Sequence, residues 1–352
     1  MQEIQYKTFS LKTHKKNWHL KSPNVCQFEL TFKCGLHCKH CYTDCYNRLG
    51  STRDELGTKE VKFILDKIHN AGVIWLCFTG GDPLTRKDFL EIYAYAKNKG
   101  FIVTVFTNAY SMTEGIADYL KKSPPFVIEI TLNAVTQGLY EKISQVKGSF
   151  EKAMAGIKLI TQRRLPIKIK TQVIKDNFAE LGRIREFVEK LGLNFRPSVF
   201  LQARLDGNLM PSSLRISAQE VLSLNGKKGA IKDDCGLLSP ALASQPANNL
   251  FQCAIGGGDG VHIDPYGNLF PCICIREPKI NVLKENVEQA RNKILTWVRE
   301  KTFTINSKCK TCSIRNNCSS CPGKALLETG SLERPVEWFC ELAKADHLYK
   351  CQ

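Results

Sequence analysis

Between residues 25 and 200 the chain alternates six short apolar, β-branched runs with five longer stretches of helical spacing. This alternation restricts the fold more than any other feature. The runs lie at 25–32, 75–79, 102–107, 126–132, 167–174 and 194–200, with helix-like segments between them at 58–70, 87–98, 113–121, 149–162 and 179–191. Strands that are apolar along their length are buried on both faces. Strands joined through helices run parallel, because each crossover returns the chain to the same end of the sheet. The expected fold class is therefore α/β, a partial (β/α)6 TIM-type barrel over residues 25–200. In such folds the chemistry lies on loops after the carboxyl ends of the strands.

The remaining segments do not share that rhythm. Residues 1–24 form an N-terminal extension and 201–250 a loop-like bridge. Residues 251–352 are rich in Gly and Cys, with one helix expected at 287–301. A region so poor in apolar periodicity is expected to be a small domain that depends on metal for its fold. No run approaches the ~18 apolar residues of a membrane span, and the N-terminus lacks the apolar core of a secretory signal. A cytoplasmic, membrane-free protein is the expectation, and there close-spaced cysteines are metal ligands or catalytic groups rather than disulfides.

The 16 cysteines are placed unevenly. Cys26, Cys34, Cys38, Cys41 and Cys45 crowd one end, nine lie from Cys253 to Cys351, and only Cys77 and Cys235 fall between. Cys26 and Cys77 read as small buried apolar residues. Cys45, Cys235 and Cys351 read as free thiols, with Cys235 a candidate catalytic one. The formal charge of +16 either solubilises the chain or favours an acidic partner. The basic residues form no run of five and accompany no nucleic-acid-binding module, so nucleic acid is not expected as a partner.

The segment TFKCGLHCKHCY puts Cys34, Cys38 and Cys41 directly after the first expected strand, spaced C-x3-C-x2-C and followed by Tyr42. Three thiolates on one loop can bind three irons of a [4Fe–4S] cluster and leave the fourth open to another ligand. A Cys3His zinc site that recruits His37 or His40 is the alternative. One strand later, Thr79-Gly80-Gly81-Asp82-Pro83 forms a turn whose missing side chains let backbone approach a ligand.

Together these motifs resemble the radical S-adenosylmethionine (SAM) enzymes, whose cluster motif the cysteine loop matches and whose GGEP turn TGGDP resembles. The resemblance implies a cluster held by three cysteines and by the amino and carboxylate groups of SAM. It implies Tyr42 near the adenine, the turn from Thr79 to Asp82 at the SAM amino group, and Thr107, Asn108 and Asn133 lining the pocket. Gln172 and Arg196 on the fifth and sixth strands are further candidates for cofactor binding. Asp82 stands where the family has Glu, and Thr131, Asn133 and Lys147 lie where it often has a Ser and an Arg.

A second resemblance covers residues 253–340. Cys253 is followed after thirteen residues by Gly267 and after four more by Cys272. Then come Cys309, Cys312, Cys318 and Cys321 as C-x2-C-x5-C-x2-C, and a last cysteine at Cys340. This is similar to the SPASM domain, the auxiliary-cluster extension of many peptide-modifying radical SAM enzymes, although the last gap is one residue short of the usual three. By resemblance Cys309, Cys312, Cys318 and Cys340 hold one auxiliary [4Fe–4S] cluster. Cys253, Cys272 and Cys321 hold another, with Cys274 or an open iron in fourth place. A zinc ribbon is the alternative.

The implied activity is reductive cleavage of SAM to a 5′-deoxyadenosyl radical that takes hydrogen from a substrate carbon. The expected substrate is a ribosomally made peptide, with an acidic leader in view of the charge, matured by crosslinking, thioether formation or epimerisation. The short N-terminal extension leaves leader recognition to a separate protein, and flavodoxin or ferredoxin would supply electrons. Two other readings stand beside it: a small molecule such as a tetrapyrrole or cofactor precursor as substrate, and a non-catalytic zinc or iron–sulfur scaffold. No catalytic acid or base is assigned from sequence.

Overall fold

A computed structural model describes residues 5–20, 22–48, 51–225, 248–251, 253, 260–304, 307–315 and 318–350. Cys235 and Cys351 lie outside the described residues. The six expected strands are present as β1 (Val25–Thr31), β2 (Trp75–Gly80), β3 (Ile102–Thr107), β4 (Val127–Thr131), β5 (Ile167–Gln172) and β6 (Phe195–Ser198). All neighbouring pairs among them are parallel.

The sheet does not stop at the barrel. Three further strands, β7 (Gly260–Ile263), β8 (Asn268–Phe270) and β9 (Ile280–Asn281), extend it in the order β6-β5-β4-β3-β2-β1-β7-β8-β9. β7 lies parallel to β1, while β8 and β9 follow antiparallel. The sequence suggested a separate C-terminal region from residue 251, but its first strands are thus hydrogen-bonded to the barrel. They are too short and too polar to register as a repeat of the β/α rhythm. Helices beyond those expected include Tyr6–Leu20 in the extension, Gln137–Ser144 after β4, and Pro322–Thr329 and Glu337–Lys350 in the C-terminal region, where only 287–301 was expected.

One face of the sheet carries Phe28, Phe78, Val105, Ile128, Ile130 and Ile169, all at most 1% exposed, in a single core with the crossover helices. Burial of this kind contributes ~25 cal/mol per Å² of apolar surface and dominates the stability of the barrel. The helix Val287–Glu300 joins the same core through Val287, Ala290, Ile294 and Val298. The other face, with the opposite strand parity, is polar: Gln27, Glu29, Cys77, Glu129, Lys168, Lys170 and Gln172. The side chains of Cys77, Glu129 and Lys170, from β2, β4 and β5, lie close enough to interact. The sheet therefore curls around this polar face.

Candidate active site

The cysteine loop begins where β1 ends, and a register shift between Glu29 and Thr31 marks the departure. Glu55 accepts hydrogen bonds from Thr31 Oγ1 (2.7 Å) and Phe32 N (2.6 Å). Asn47 brackets the loop next: its Oδ1 accepts from Cys34 N (3.1 Å), and its Nδ2 donates to the carbonyls of Cys34 and Leu36. Farther along, His37 N and Lys39 N donate to Ser144 O and Ile143 O, which close the helix Gln137–Ser144. Asp44, almost fully buried, holds His37 Nδ1 at 2.8 Å, is bonded to Arg48, and lies 3.8 Å from Arg204. A backbone fastened at so many points presents its three thiols in a fixed arrangement.

The glycine turn after β2 packs directly on this loop. Gly80 has φ +123°, and a Cβ there would lie 2.1 Å from Thr31 O. A Cβ on Gly81 would lie 2.5 Å from both Phe32 O and Lys33 O. These contacts explain the two glycines before any ligand is considered, since backbone approaches backbone this closely only where side chains are missing. Gly81 N and Asp82 N then donate to Thr31 O (2.7 Å) and Lys33 O (2.9 Å).

Asp82 is fully buried and accepts from Leu84 N, Thr107 Oγ1 and Asn108 N at 2.8–3.0 Å. Burial raises its pKa to about 6 against the pull of those three donors. Its carboxylate is thus engaged in tying the turn after β2 to the turn after β3. Thr107 shares that task, and Asn108 is left with its amide Nδ2 3.3 Å from Cys34 Sγ. Asn133 joins the loop to the next two strands: its Nδ2 lies 3.1 Å from His40 Nε2, and its Oδ1 accepts from Gln172 N. Gln172 Nε2 in turn donates to Ser198 O.

Two expected positions differ. Tyr42 is half-buried, with its hydroxyl shielded beside Glu29, Arg276, Cys41 and Cys274, and so faces the C-terminal region. The aromatic ring that meets the strand-four terminus is His40, whose pKa falls to about 4 through burial. Reading the aromatic after the last cysteine, rather than the one before it, missed this residue. Arg196 is exposed on edge strand β6 and is paired in register with Lys170, one step below Gln172. Thr79 is half-buried at the end of β2, Thr131 is half-buried, and Lys147 is exposed.

Burial raises the thiol pKa values of Cys34, Cys38 and Cys41, and the three sulfurs influence one another. Three close, half-buried, soft donors with an amide aimed at one sulfur suit a thiolate-binding iron cluster, whose sulfurs accept such hydrogen bonds. His37 and His40 are bonded to Asp44 and Asn133 instead of facing the thiols. Among the described residues no group of three His, Cys, Asp or Glu side chains is arranged around a single metal-ion position.

The C-terminal cysteines fall into two groups. Cys274 shares thiol hydrogen bonds with Cys272 and Cys321, and these bonds, with burial, raise its pKa. The absent side chain of Gly323 allows this, since a Cβ there would meet Cys274 Cβ at 2.7 Å. Cys309, Cys312, Cys318 and Cys340 form the second group, each close to others of the set. Cys253 is half-buried and packs against the main core.

Comparison with known proteins agrees with this geometry. A model of the radical SAM superfamily matches residues 28–188, from within β1 to the helix Leu181–Lys190. Residues 28–188 form a radical SAM domain. Its cofactors are a [4Fe–4S] cluster and SAM. The AdoMet-dependent heme synthase of Methanosarcina barkeri is 25% identical over 339 residues, or 88% of this chain and 94% of that protein. The mycofactocin maturase MftC of Mycobacterium tuberculosis is 25% identical over 260 residues, 72% of this chain and 65% of that one. Streptococcus suis SuiB bound to precursor peptide SuiA has a TM-score of 0.71 at 16% identity, covering 97% of this chain and 82% of that chain. At that identity the likeness concerns the fold. No described helix of the chain is long and apolar enough to cross a membrane.

Proposed function

We propose that the chain is a carbon-modifying radical SAM enzyme that acts on a ribosomally made peptide with the aid of two auxiliary clusters. The observation that carries the reading is the presence of two separate cysteine groups in the C-terminal region, beside the three-cysteine loop. In the proposed assignment Cys34, Cys38 and Cys41 hold the SAM cluster. Cys309, Cys312, Cys318 and Cys340 hold one auxiliary cluster, and Cys253, Cys272, Cys321 and Cys274 hold the other. Thiol contacts of Cys274 with Cys272 and Cys321 support it as the fourth ligand. When bound, the first cluster supplies the electron that splits SAM, and SAM supplies the radical that takes hydrogen from carbon.

The chain's own residues fix the geometry. The backbone at Thr79, Gly80 and Gly81, with His40, Asn108, Asn133 and Gln172, surrounds the proposed SAM pocket. Asp82 and Thr107 position Asn108 and the turn. Tyr42 lines the seam toward the auxiliary clusters. The peptide substrate is supported by the maturase relatives, and a separate recognition protein with a flavodoxin or ferredoxin donor completes the proposal. The heme synthase match along nearly its whole length supports a second reading, a tetrapyrrole-like small molecule.

Anaerobic reconstitution tests the assignment. The protein should take up iron and sulfide for three four-iron clusters and release 5′-deoxyadenosine from SAM under dithionite. Stoichiometric zinc with no uptake of iron would refute it. Product formation from a peptide encoded beside the gene, set against a tetrapyrrole, separates the two substrates.

A further inference from the structure

Two residues after Cys274, the C-terminal region sends a side chain to the barrel wall. Arg276 forks onto Glu29 of β1, with Nη1 2.6 Å from Oε2 and Nη2 2.9 Å from Oε1. The Glu29 side chain is only 2% exposed. The guanidinium carbon lies 4.2 Å from the centroid of the Phe270 ring and 5.9 Å from that of Phe32. Charge is matched within the pair, and two parallel bonds fix the guanidinium plane. One donor is left over. Nε of Arg276 is buried and has no hydrogen-bond partner among the described residues, and a buried donor without an acceptor bears its full desolvation cost.

The surroundings show which acceptor suits that donor. The rings of Phe270 and Phe32 carry no lone pair. The Tyr42 hydroxyl is influenced by both the Arg276 charge and the Cys274 thiol, so guanidinium and thiol adjoin one phenol. Cys272 and Cys274 sit on a tight turn, closed by Ile275 N donating to Cys272 O at 2.9 Å, and Arg276 leaves that turn. As a thiol, Cys274 is hydrogen-bonded to Cys272 and Cys321. As iron ligands the same cysteines are thiolates, and the sulfurs of a cluster accept N–H bonds from the protein around them.

We infer that Arg276 is a positioning residue for the auxiliary cluster of Cys272, Cys274 and Cys321, toward which Glu29 aims its Nε–H and its positive charge. This rests on the cluster assignment proposed above. A donor and a cation beside a cluster stabilise its reduced, more negative state and so raise its potential. The cluster concerned adjoins the SAM loop, because Tyr42 follows Cys41 in the chain and its hydroxyl lies beside Cys274. The Arg276–Glu29 pair thus makes the auxiliary cluster on the barrel side a better electron acceptor than its cysteines alone would.

The test is an anaerobic potentiometric titration of the reconstituted enzyme, followed by electron paramagnetic resonance. Parallel titrations of Cys38→Ser and Cys340→Ser, each lacking one of the other clusters, assign the midpoints. Arg276→Gln should lower the midpoint of the Cys272–Cys274–Cys321 cluster by about tenfold in its reduced-to-oxidised ratio, or ~59 mV for one electron. Glu29→Gln keeps an oxygen acceptor but removes the opposing charge, so the same midpoint should rise. The other two midpoints should stay in place. A seam that is merely structural would respond to both substitutions alike. Arg276→Lys keeps the charge but has no Nε–H, and it decides the matter if Arg276→Gln loses iron: its midpoint should lie below wild type. An unchanged midpoint in an Arg276 variant with full iron, or a fall in Glu29→Gln, would overturn the inference. Failure of the underlying assignment would show instead as wild-type protein with no auxiliary midpoint to titrate.

Discussion

The loop bearing Cys34, Cys38 and Cys41 is fastened by Glu55, Asn47, Asp82 and the end of the helix Gln137–Ser144, all on the large barrel core. In the group Cys309, Cys312, Cys318 and Cys340, Cys309 packs against the edge of that core, while Cys318 adjoins a separate core of only three buried side chains, Ala325, Val336 and Phe339. Cys312 is exposed. The first site is preorganised by protein contacts and receives its cluster. The second has little apolar burial of its own, so metal binding there is also folding free energy. The two regions should therefore answer differently to loss of a ligand.

The largest contrast is expected between Cys38→Ser and Cys340→Ser. The first should reduce deoxyadenosine release to background and iron by one cluster, while thermal unfolding of the barrel shifts little. The second should also lose iron yet retain measurable SAM cleavage, because its cysteine serves a different cluster. Normal release from Cys38→Ser, or complete loss from folded Cys340→Ser, would break the division between the regions.

A second effect concerns local stability. Cys318→Ala should leave the segment after residue 307 open to protease while residues 51–225 resist, since cleavage follows the population of the open form. The boundary is drawn later than residue 251 because β7–β9 belong to the barrel sheet and the helix Val287–Glu300 shares its core. Cleavage throughout 260–300 would contradict that boundary, and wild-type resistance everywhere would remove the proposed structural role of Cys318. The fragments can be mapped by mass spectrometry.

This boundary also shows what the sequence made legible. The six parallel strands were readable because each alternates with a helical stretch and most carry an apolar face, although the other face proved polar rather than buried among apolar side chains, and the cysteine spacing survives any fold. β8 and β9 span three and two residues, too short for a period to be visible. The helix Gln137–Ser144 was hidden by its polar composition. The roles of Asn47 and Glu55 depend on contacts that spacing does not reveal. Asp82 and the glycines were expected at the SAM pocket, but the contacts they make are with the cysteine loop and the next strand, and only the distances to Thr31, Phe32, Lys33 and Thr107 disclose them.

A smaller effect is expected at the seam between turn and loop. Gly81→Ala brings a methyl group within 2.5 Å of two carbonyl oxygens of the cysteine loop, so backbone must move. Overpacking of this kind costs about 1–3 kcal/mol. The melting temperature should fall and SAM affinity with it, with auxiliary iron unaffected. Gly138→Ala is the control, because nothing lies within 4 Å of its added Cβ. Equal behaviour of the two variants would mean that the loop yields freely and is not preorganised.

The finest difference lies in single hydrogen bonds to sulfur. In the barrel, Asn108 Nδ2 donates to Cys34 Sγ at 3.3 Å, and in the C-terminal region Ser320 N donates to Cys318 Sγ at 3.4 Å. Only the first comes from a side chain and can be removed by substitution. A donor on a ligating sulfur stabilises the more negative, reduced state of a cluster, so Asn108→Ala should lower the reduction potential of the SAM cluster. Iron content should remain near wild type, because the three thiols and the Asn47 bracket are intact. Loss of one outer-shell partner typically costs ~10-fold in activity, and a lower-potential reductant than dithionite should recover part of it. Ser320→Ala should leave both potentials unchanged, since its donor is backbone. A potential that does not move in Asn108→Ala would mean that the amide orients the loop without tuning the cluster, and then no reductant would restore the rate.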